Sequence, residues 1–132
     1  MRWADDTGAA IAEFAMISVL LVFLLFAVLQ VALLFYVRTV VASSAADGAR
    51  YAGAADVSTA DGAARATSLI ADGLDAGVAA QVPCTATDEV DADSGLPTVR
   101  VHCEGDIASV FLPIGAFVHI DVDSRVLSEQ RP

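Results

Sequence analysis

Residues 8–38 read GAAIAEFAMISVLLVFLLFAVLQVALLFYVR, and this stretch decides what kind of protein the chain is. Its apolar part, residues 14–37, is interrupted only by Ser18 and Gln30. At about 1.5 Å per residue a helix of this length spans about 36 Å, enough to cross a hydrocarbon layer of about 30 Å. A core helix that is apolar on every face needs other large hydrophobic elements around it, and the rest of the chain has none. The stretch therefore predicts a membrane-spanning helix.

A cleaved secretory signal is the main alternative to a permanent span. Small residues that suit a signal peptidase follow the apolar stretch at residues 42–44. However, the apolar part is long for such a signal, and residues 1–8 contain Asp5 and Asp6 where a signal has a basic cluster. We therefore expect a single-pass protein of the cytoplasmic membrane, with the lipid bilayer as one of its partners.

The overall composition excludes a nucleic-acid partner. The chain has 132 residues, of which 56% are hydrophobic, and 17 acidic side chains outnumber 7 arginines to give a formal net charge of −10. Because nucleic-acid affinity comes mostly from cations that meet phosphates, a polyanion of this kind is repelled by DNA and RNA.

Cysteine usage predicts the orientation of the chain better than its basic residues do. Arg2 and the α-amino group lie on one side of the span, while Arg38 and Arg50 lie on the other, so the positive charges are balanced. Two cysteines follow the span, and a pair in a small membrane-anchored domain is typical of an oxidising compartment. We therefore expect the N-terminus in the cytoplasm and the part after the span outside, with an extracellular location if the protein enters a filament.

Beyond the span the sequence predicts a long helix that leads into a small head. Helical character continues to about residue 52, because no Pro interrupts an Ala-rich stretch. After a short break, Ser58 begins a pattern typical of a helix start, with Asp61 in the first turn. Polar residues then recur every three or four positions, which predicts a soluble amphipathic helix closed by Gly77.

The period of the pattern then changes from 3.6 to 2, which indicates strands. Apolar residues alternate with polar ones in two stretches, residues 78–87 and residues 98–104. An acidic loop lies between these stretches. Cys84 and Cys103 both fall on the apolar face, and pairing them centres a hairpin between Asp93 and Ser94. Directly opposed residues in an antiparallel pair lie about 4.5–5.5 Å apart at Cα, which a disulfide can bridge. The alternation therefore predicts a Cys84–Cys103 disulfide.

The remaining pattern completes an α+β fold. Residues 106–114 predict one apolar helical turn that Pro113 ends, and residues 117–126 predict a last strand. The expected architecture is a long N-terminal transmembrane helix followed by a pilin-like head, in which one helix packs on a three-stranded antiparallel sheet. The expected segments are a cytoplasmic leader at 1–8, a long helix at 9–52 with the span at about 14–37, and an extracytoplasmic head at 57–132.

The start of the apolar helix carries a specific resemblance. Gly8 precedes the helix and Glu13 follows five positions later, which resembles the type IV pilin and pseudopilin signal, and within that class the TadE-like pseudopilins of the tight-adherence (Flp) pilus. The likeness continues past the span in two stretches, residues 35–38 and 45–52. Two positions depart from the family pattern: Phe14 stands where Tyr is frequent, and Asp47 stands where Glu is more common.

The resemblance implies a structural protein with no cofactor. A prepilin peptidase would cut between Gly8 and Ala9, and the mature chain would join or prime a surface filament as a minor pilin or pseudopilin. The implied partners are other pilins or pseudopilins and the assembly-platform proteins of the pilus. The alternative is a permanently anchored single-pass scaffold or binding protein of a secretion or pilus apparatus, which does not enter the filament.

Glu13 has two interpretations. A carboxylate that enters hydrocarbon costs at least about 2.5 kcal/mol, so it must be paired or kept at the interface. The resemblance implies that Glu13 pairs with the Ala9 amine of a neighbouring subunit once cleavage has exposed that amine. The alternative is that Glu13 lies in the first helical turn, favoured by the helix dipole, and reaches back to water.

Other polar residues of the long helix are candidate assembly residues. Gln30 either bonds across helices in a bundle or is satisfied near the outer interface. Asp47 and Arg50 are spaced for a local ion pair, and with Tyr51 they form either an ordinary helix surface or a partner-binding surface.

No pattern predicts catalysis or a metal site. An EF-hand loop counted from Glu89 places Arg100 where the bidentate Glu belongs, so we expect a solvated turn there. A zinc site that combines His102 with Cys103 fails because neighbouring strand residues point to opposite faces. His102 and His119 are expected to be exposed strand residues, and neither lies in a nucleophile motif.

Overall fold

The structure is a computed structural model that describes residues 3–108 and 117–129, with side chains described from Gly8 onward. It confirms the α+β architecture. Its elements in chain order are α1 Trp3–Gly53, α2 Thr59–Gly73, α3 Ala76–Gln81, β1 Cys84–Val90, β2 Pro97–Ala108 and β3 Phe117–Leu127.

The chain divides into two compact units, residues 1–35 and 36–132. The first unit is the apolar part of α1. Its described side chains are exposed except for those of Ser18 and Gln30, which are half-buried. Within the described residues, α1 is the one helix long and apolar enough to cross a membrane, and the apolar window that defines this span is not buried inside the protein. This supports a single-pass membrane anchor.

The second unit contains the hydrophobic core of the head. The core gathers small and β-branched side chains from every layer of this unit: Val41, Ala45 and Ala49 of α1, Ala66 and Ile70 of α2, Ala79 of α3, Val82, and Val101, Cys103 and Ile120 of the sheet. The last third of α1 is thus part of the head, a contribution that the sequence prediction did not include.

Helices α1 and α2 approach each other closely because glycines face each other. A Cβ added to Gly48 would lie 2.5 Å from the Gly62 carbonyl oxygen, and one added to Gly62 would lie 2.6 Å from the Ala52 Cβ. No Cβ fits at either position, so this separation requires glycine at both 48 and 62.

The predicted start of the amphipathic helix is confirmed, whereas its predicted end is wrong. α2 begins at Thr59 after Ser58 but ends at Gly73, where the Leu74 amide donates to the Ile70 carbonyl. The Asp75 carboxylate then accepts from the Gly77 amide and begins α3.

Residues 78–81, which we expected to form the start of a strand, are therefore helical. The buried positions in this segment are Ala79 and Val82, three residues apart, which is the spacing of one helix face. Val78, Ala80 and Val82 alternate in the sequence as in a strand, but Ala80 is exposed and Ala79 is buried.

The sheet is antiparallel with strand order β1-β2-β3. β1 and β2 pair from Cys84↔Cys103 to Val90↔Pro97, which centres the hairpin between residues 93 and 94 as expected. The Cys84–Cys103 disulfide is present, and Cys103 is fully buried. In the turn, the Asp91 carboxylate accepts from the amides of Asp93 and Ser94, and Gly95 has a positive φ of 67°.

β2 is longer than predicted. It continues through Ala108 because residues 106–108 pair with residues 117–119 of β3, so the helical turn expected at 106–114 is wrong for its first three residues. Residues 109–114 of that prediction lie outside the described residues. β3 runs from Phe117 to Leu127, one residue past the predicted end.

Candidate assembly site on helix α1

The predicted leader site lies in regular helix. Gly8, Ala9, Glu13 and Phe14 all belong to α1 and are exposed, with Phe14 at 74%. A Cβ added to Gly8 would meet nothing within 4 Å, so no contact within the described chain requires glycine at this position. Ala9 and Glu13 are four residues apart and therefore lie on one face of the helix.

The two polar residues of the span are placed differently. Ser18 is satisfied within the helix, because its hydroxyl donates to the Phe14 carbonyl at 2.8 Å. Gln30 is half-buried among exposed neighbours. Its two interpretations, a bond across helices or satisfaction near the interface, both remain open.

The expected ion pair between Asp47 and Arg50 is not formed. Asp47 pairs with Arg65 of α2 instead, with the Arg65 Nε 3.2 Å from the Asp47 Oδ1. The Arg65 guanidinium also lies 6.0 Å from the centroid of the Tyr51 ring. The reason is geometric, because the Gly48–Gly62 crossing brings the polar face of α2 beside this part of α1.

Arg65 is the site residue that the sequence missed. The spacing correctly places it on the exposed face of α2, but a contact 18 residues away in sequence leaves no periodic signal. Both partners are about half exposed, at 49% and 51%, so the pair contributes about 0.2–1 kcal/mol.

Arg50 and Tyr51 are also exposed and lie beside this ion pair on the same part of α1. Tyr51 is 48% exposed, and Arg50 has no ion pair within the described residues. The face formed by Asp47, Arg50, Tyr51 and Arg65 thus combines an ion pair, an aromatic ring and a cation that pairs with no carboxylate in the part of the chain that the structure describes. Such a combination is typical of protein-binding surfaces, where Arg and Tyr are enriched.

The two histidines lie on the solvent side of the sheet among carboxylates. His119 Nδ1 is 2.9 Å from the Asp106 Oδ1, and this hydrogen bond raises the pKa of His119 above its usual value. His102 Nε2 is 3.2 Å from Glu104 Oε2. Each histidine is thus engaged by a cross-strand or same-strand carboxylate, and the described residues contain no group of three or more side chains that could hold a metal ion.

Two carboxylates of the acidic loop, those of Glu89 and Asp91, are bonded to protein groups. Glu89 pairs with Arg100 at 3.3 Å. The Ser94 amide and hydroxyl donate to Asp91, and these bonds lower the pKa of the Asp91 carboxyl. This arrangement is a tight, solvated turn.

A comparison with protein families finds a similarity in the N-terminal part of the chain. The model of a family described as TadE-like protein matches residues 8–50, from the glycine of the predicted leader site to the arginine beside Tyr51. No curated protein and no solved structure shows significant similarity to the chain.

Proposed function

We propose that the chain is a minor pilin or pseudopilin of a tight-adherence pilus, because the model of the TadE-like family matches its residues 8–50. It is a structural subunit that joins or primes the filament after a peptidase removes residues 1–8. It performs no catalysis and uses no cofactor.

One observation carries the proposal: the family match covers the exposed apolar helix and begins at Gly8. An apolar helix that its own chain does not cover requires either lipid or the helices of other subunits around it. A pilus subunit uses both environments in turn, first the bilayer and then the filament.

Gly8 supports recognition by another protein. Because a Cβ at Gly8 meets open space, glycine is not needed there for packing within the chain. Gly48, in the same helix, is needed for packing. A peptidase that contacts the backbone would favour a small, exposed residue at the start of an apolar helix, and Gly8 is such a residue.

Glu13 is proposed to guide assembly together with Phe14. Cleavage after Gly8 turns the Ala9 nitrogen into an amine, and a neighbour's Glu13 can compensate that charge when both enter an apolar bundle. A buried carboxylate is tolerated only with such a partner. Gln30, Asp47, Arg50 and Tyr51 are proposed as further contacts between subunits along the same helix.

The proposed orientation places the N-terminus in the cytoplasm and the head outside. The disulfide supports this placement, since such bonds persist in oxidising compartments. The proposed partners are the prepilin peptidase, other pilins or pseudopilins, and the assembly platform.

The test is the mass of the intact protein purified from its native membrane. We expect a chain that begins at Ala9, and we expect a Gly8→Leu variant to keep residues 1–8. Retention of residues 1–8 in the unaltered protein would favour the permanently anchored scaffold over a filament subunit.

A further inference from the structure

The outer edge of β3 has the properties of a docking edge for one more strand. β3 is the last strand of the sheet, and it pairs with β2 along its whole length, from Leu127↔Thr98 to Phe117↔Ala108. No strand pairs with its other side within residues 3–108 and 117–129. We propose that this edge binds an extended segment of another protein in which apolar residues alternate with basic ones.

The register identifies the backbone groups that point to the free edge. The Ser128 amide donates to the Pro97 carbonyl at 2.9 Å, which extends the β2–β3 register by one position. In an antiparallel ladder, alternate residues direct their N–H and C=O groups to the same neighbour. The inward-facing, even-numbered residues of β3 therefore bond to β2, and the outward-facing set directs its groups to the free edge: Phe117, His119, Asp121, Asp123 and Arg125. At Leu127 this edge meets the end of α1, since a Cβ added to Gly53 would lie 3.0 Å from the Leu127 carbonyl oxygen.

The β1–β2 ladder gives an independent check on which residues bond to which neighbouring strand. The Glu104 amide donates to the Pro83 carbonyl, and the Asp91 amide donates to the Leu96 carbonyl. Even-numbered residues of β2 thus bond to β1. The odd-numbered residues of β2 must then bond to β3, in agreement with the Ser128–Pro97 bond.

The edge lacks most of the features that prevent strand addition. Proteins protect edge strands with proline, bulges or inward-pointing charges. β3 contains no proline, pairs with β2 without a bulge, and points no charge inward. Its charges lie only on the solvent face.

The inner side of the edge is incompletely covered. Ile120 is buried, but Val118, Val122 and Val126 are only half-buried. An added strand would place its own apolar side chains beside these valines and extend the core by one layer. The opposite edge is less available, since β1 has only seven residues and its Asp88 accepts a bond from Thr59 of α2 at 2.7 Å.

The charges on the solvent face favour a basic partner over a second copy of this chain. Asp123 is shared by Arg100 and Arg125. Asp121 stands opposite Glu104, and two histidines lie beside this carboxylate pair, His102 at 3.6 Å from Asp121 and His119 at 3.4 Å from Glu104. Lys or Arg on the added strand would offset this carboxylate pair.

Self-pairing of β3 is opposed by like charges. The longest antiparallel self-pairings, centred on residues 121, 122 and 123, place Asp121 opposite itself, Asp121 opposite Asp123, and Asp123 opposite itself. Like charges directly opposed across strands are destabilising. The proposal depends only on the head and is independent of the pilus role of residues 8–50.

The test uses the full-length protein in nanodiscs of zwitterionic lipid, so that a basic peptide is not drawn to the bilayer. A fluorescent peptide of alternating Val and Lys is titrated and its anisotropy is measured. We expect saturable binding, and we expect binding to weaken at least about tenfold when the Lys amides, which would face β3, are N-methylated. N-methylation removes edge hydrogen bonds and keeps every charge.

Two variants at one position separate hydrogen bonding from charge. Asp121→Pro removes an edge N–H that β2 does not use, while Asp121→Asn removes the charge and keeps the N–H. We expect Asp121→Pro to weaken binding about tenfold and Asp121→Asn to weaken it less. If Asp121→Pro does not fold, the methylated peptide still decides the question.

Three outcomes would overturn the proposal. The first is no binding of the Val/Lys peptide, and the second is equal binding of its methylated form, which would indicate attraction of charge alone. The third is tighter binding of a peptide with the sequence of residues 117–127, which would identify a second copy as the occupant.

Discussion

Gly48 and Gly8 lie on the same helix, but packing against neighbouring residues restricts only position 48. A Cβ at Gly48 would lie 2.5 Å from the Gly62 carbonyl oxygen and 3.0 Å from the Ala66 Cβ, whereas a Cβ at Gly8 would contact nothing. The packing role of Gly48 is not visible in the sequence, where this glycine simply interrupts Ala-rich helix. The difference depends on where α2 crosses, which is a property of the folded chain.

Gly48→Ala should destabilise the head. Alanine favours the helix by about 1 kcal/mol over glycine, but a methyl group 2.5 Å from a backbone oxygen forces the two helices apart. Overpacking of this kind costs about 1–3 kcal/mol, so we expect a net loss of stability and a lower melting temperature. Thermal unfolding followed by near-UV circular dichroism measures it, with Gly8→Ala as the control that should melt like the unaltered protein. Equal melting of both variants would contradict the tight crossing.

Glu13→Ala and Glu13→Gln should impair assembly and spare folding. Glu13 belongs to the first compact unit and the core of the head belongs to the second, so the variants should leave head stability and the disulfide unchanged. Loss of the carboxylate removes the partner of the Ala9 amine, so we expect less co-purification with other pilus subunits from cells that make the whole apparatus. Ser18→Ala, which removes only a bond within the helix, is the matched control. If Glu13→Ala is cleaved and assembles normally, Glu13 is only a helix-start residue.

At the scale of elements, the hairpin was predictable and the segment before it was not. Strict alternation placed Cys84 and Cys103 on one face, and their register then determined the turn, as the ladder confirms. The amphipathic helix was recognisable at its start but not at its end, because Gly73 and Gly77 are both possible stops. α3 is too short for its period to be distinguished from alternation.

Replacing both cysteines by serine should destabilise the head strongly. In the chain-entropy estimate, a disulfide that closes a loop of about 20 residues contributes about 3 kcal/mol, which is a large share of the stability of so small a core. The buried Cys103 makes a polar replacement costly by itself, so a Cys84→Ala/Cys103→Ala double variant serves as the comparison. We expect both variants to unfold at lower urea concentration, the serine variant first. Unchanged midpoints in both variants would show that the bond adds no stability.

At the scale of the whole chain, the sequence predicted a head at residues 57–132, and the compact unit that contains the core comprises residues 36–132. Hydropathy distinguishes lipid-facing residues from the rest of the chain. It does not change at residue 36, where the second unit begins. Beyond this point α1 keeps its Ala-rich character while one face becomes buried at Val41, Ala45 and Ala49. The Asp47–Arg65 pair was missed for the same reason, since a contact between α1 and α2 is set by their packing and not by the spacing within either helix.

A fragment of residues 36–132 should fold, and a fragment of residues 57–132 should not. The shorter fragment loses Val41, Ala45 and Ala49 and exposes the faces of α2 and the sheet that these residues cover. It also loses the bond from the Glu129 amide to the Gly53 carbonyl. Since full burial of one Val is worth about 1.5–3 kcal/mol and whole domains are stable by only about 5–15 kcal/mol, these losses are enough to unfold a head with so small a core. Both fragments, oxidised at Cys84–Cys103, are compared by urea unfolding and amide exchange. We expect a cooperative transition and protected β2 amides in the longer fragment alone, and we expect a peptide of residues 36–56 to restore protection to the shorter one. Cooperative unfolding of residues 57–132 without the peptide would show that α1 is only a tether to the head and not one of its layers.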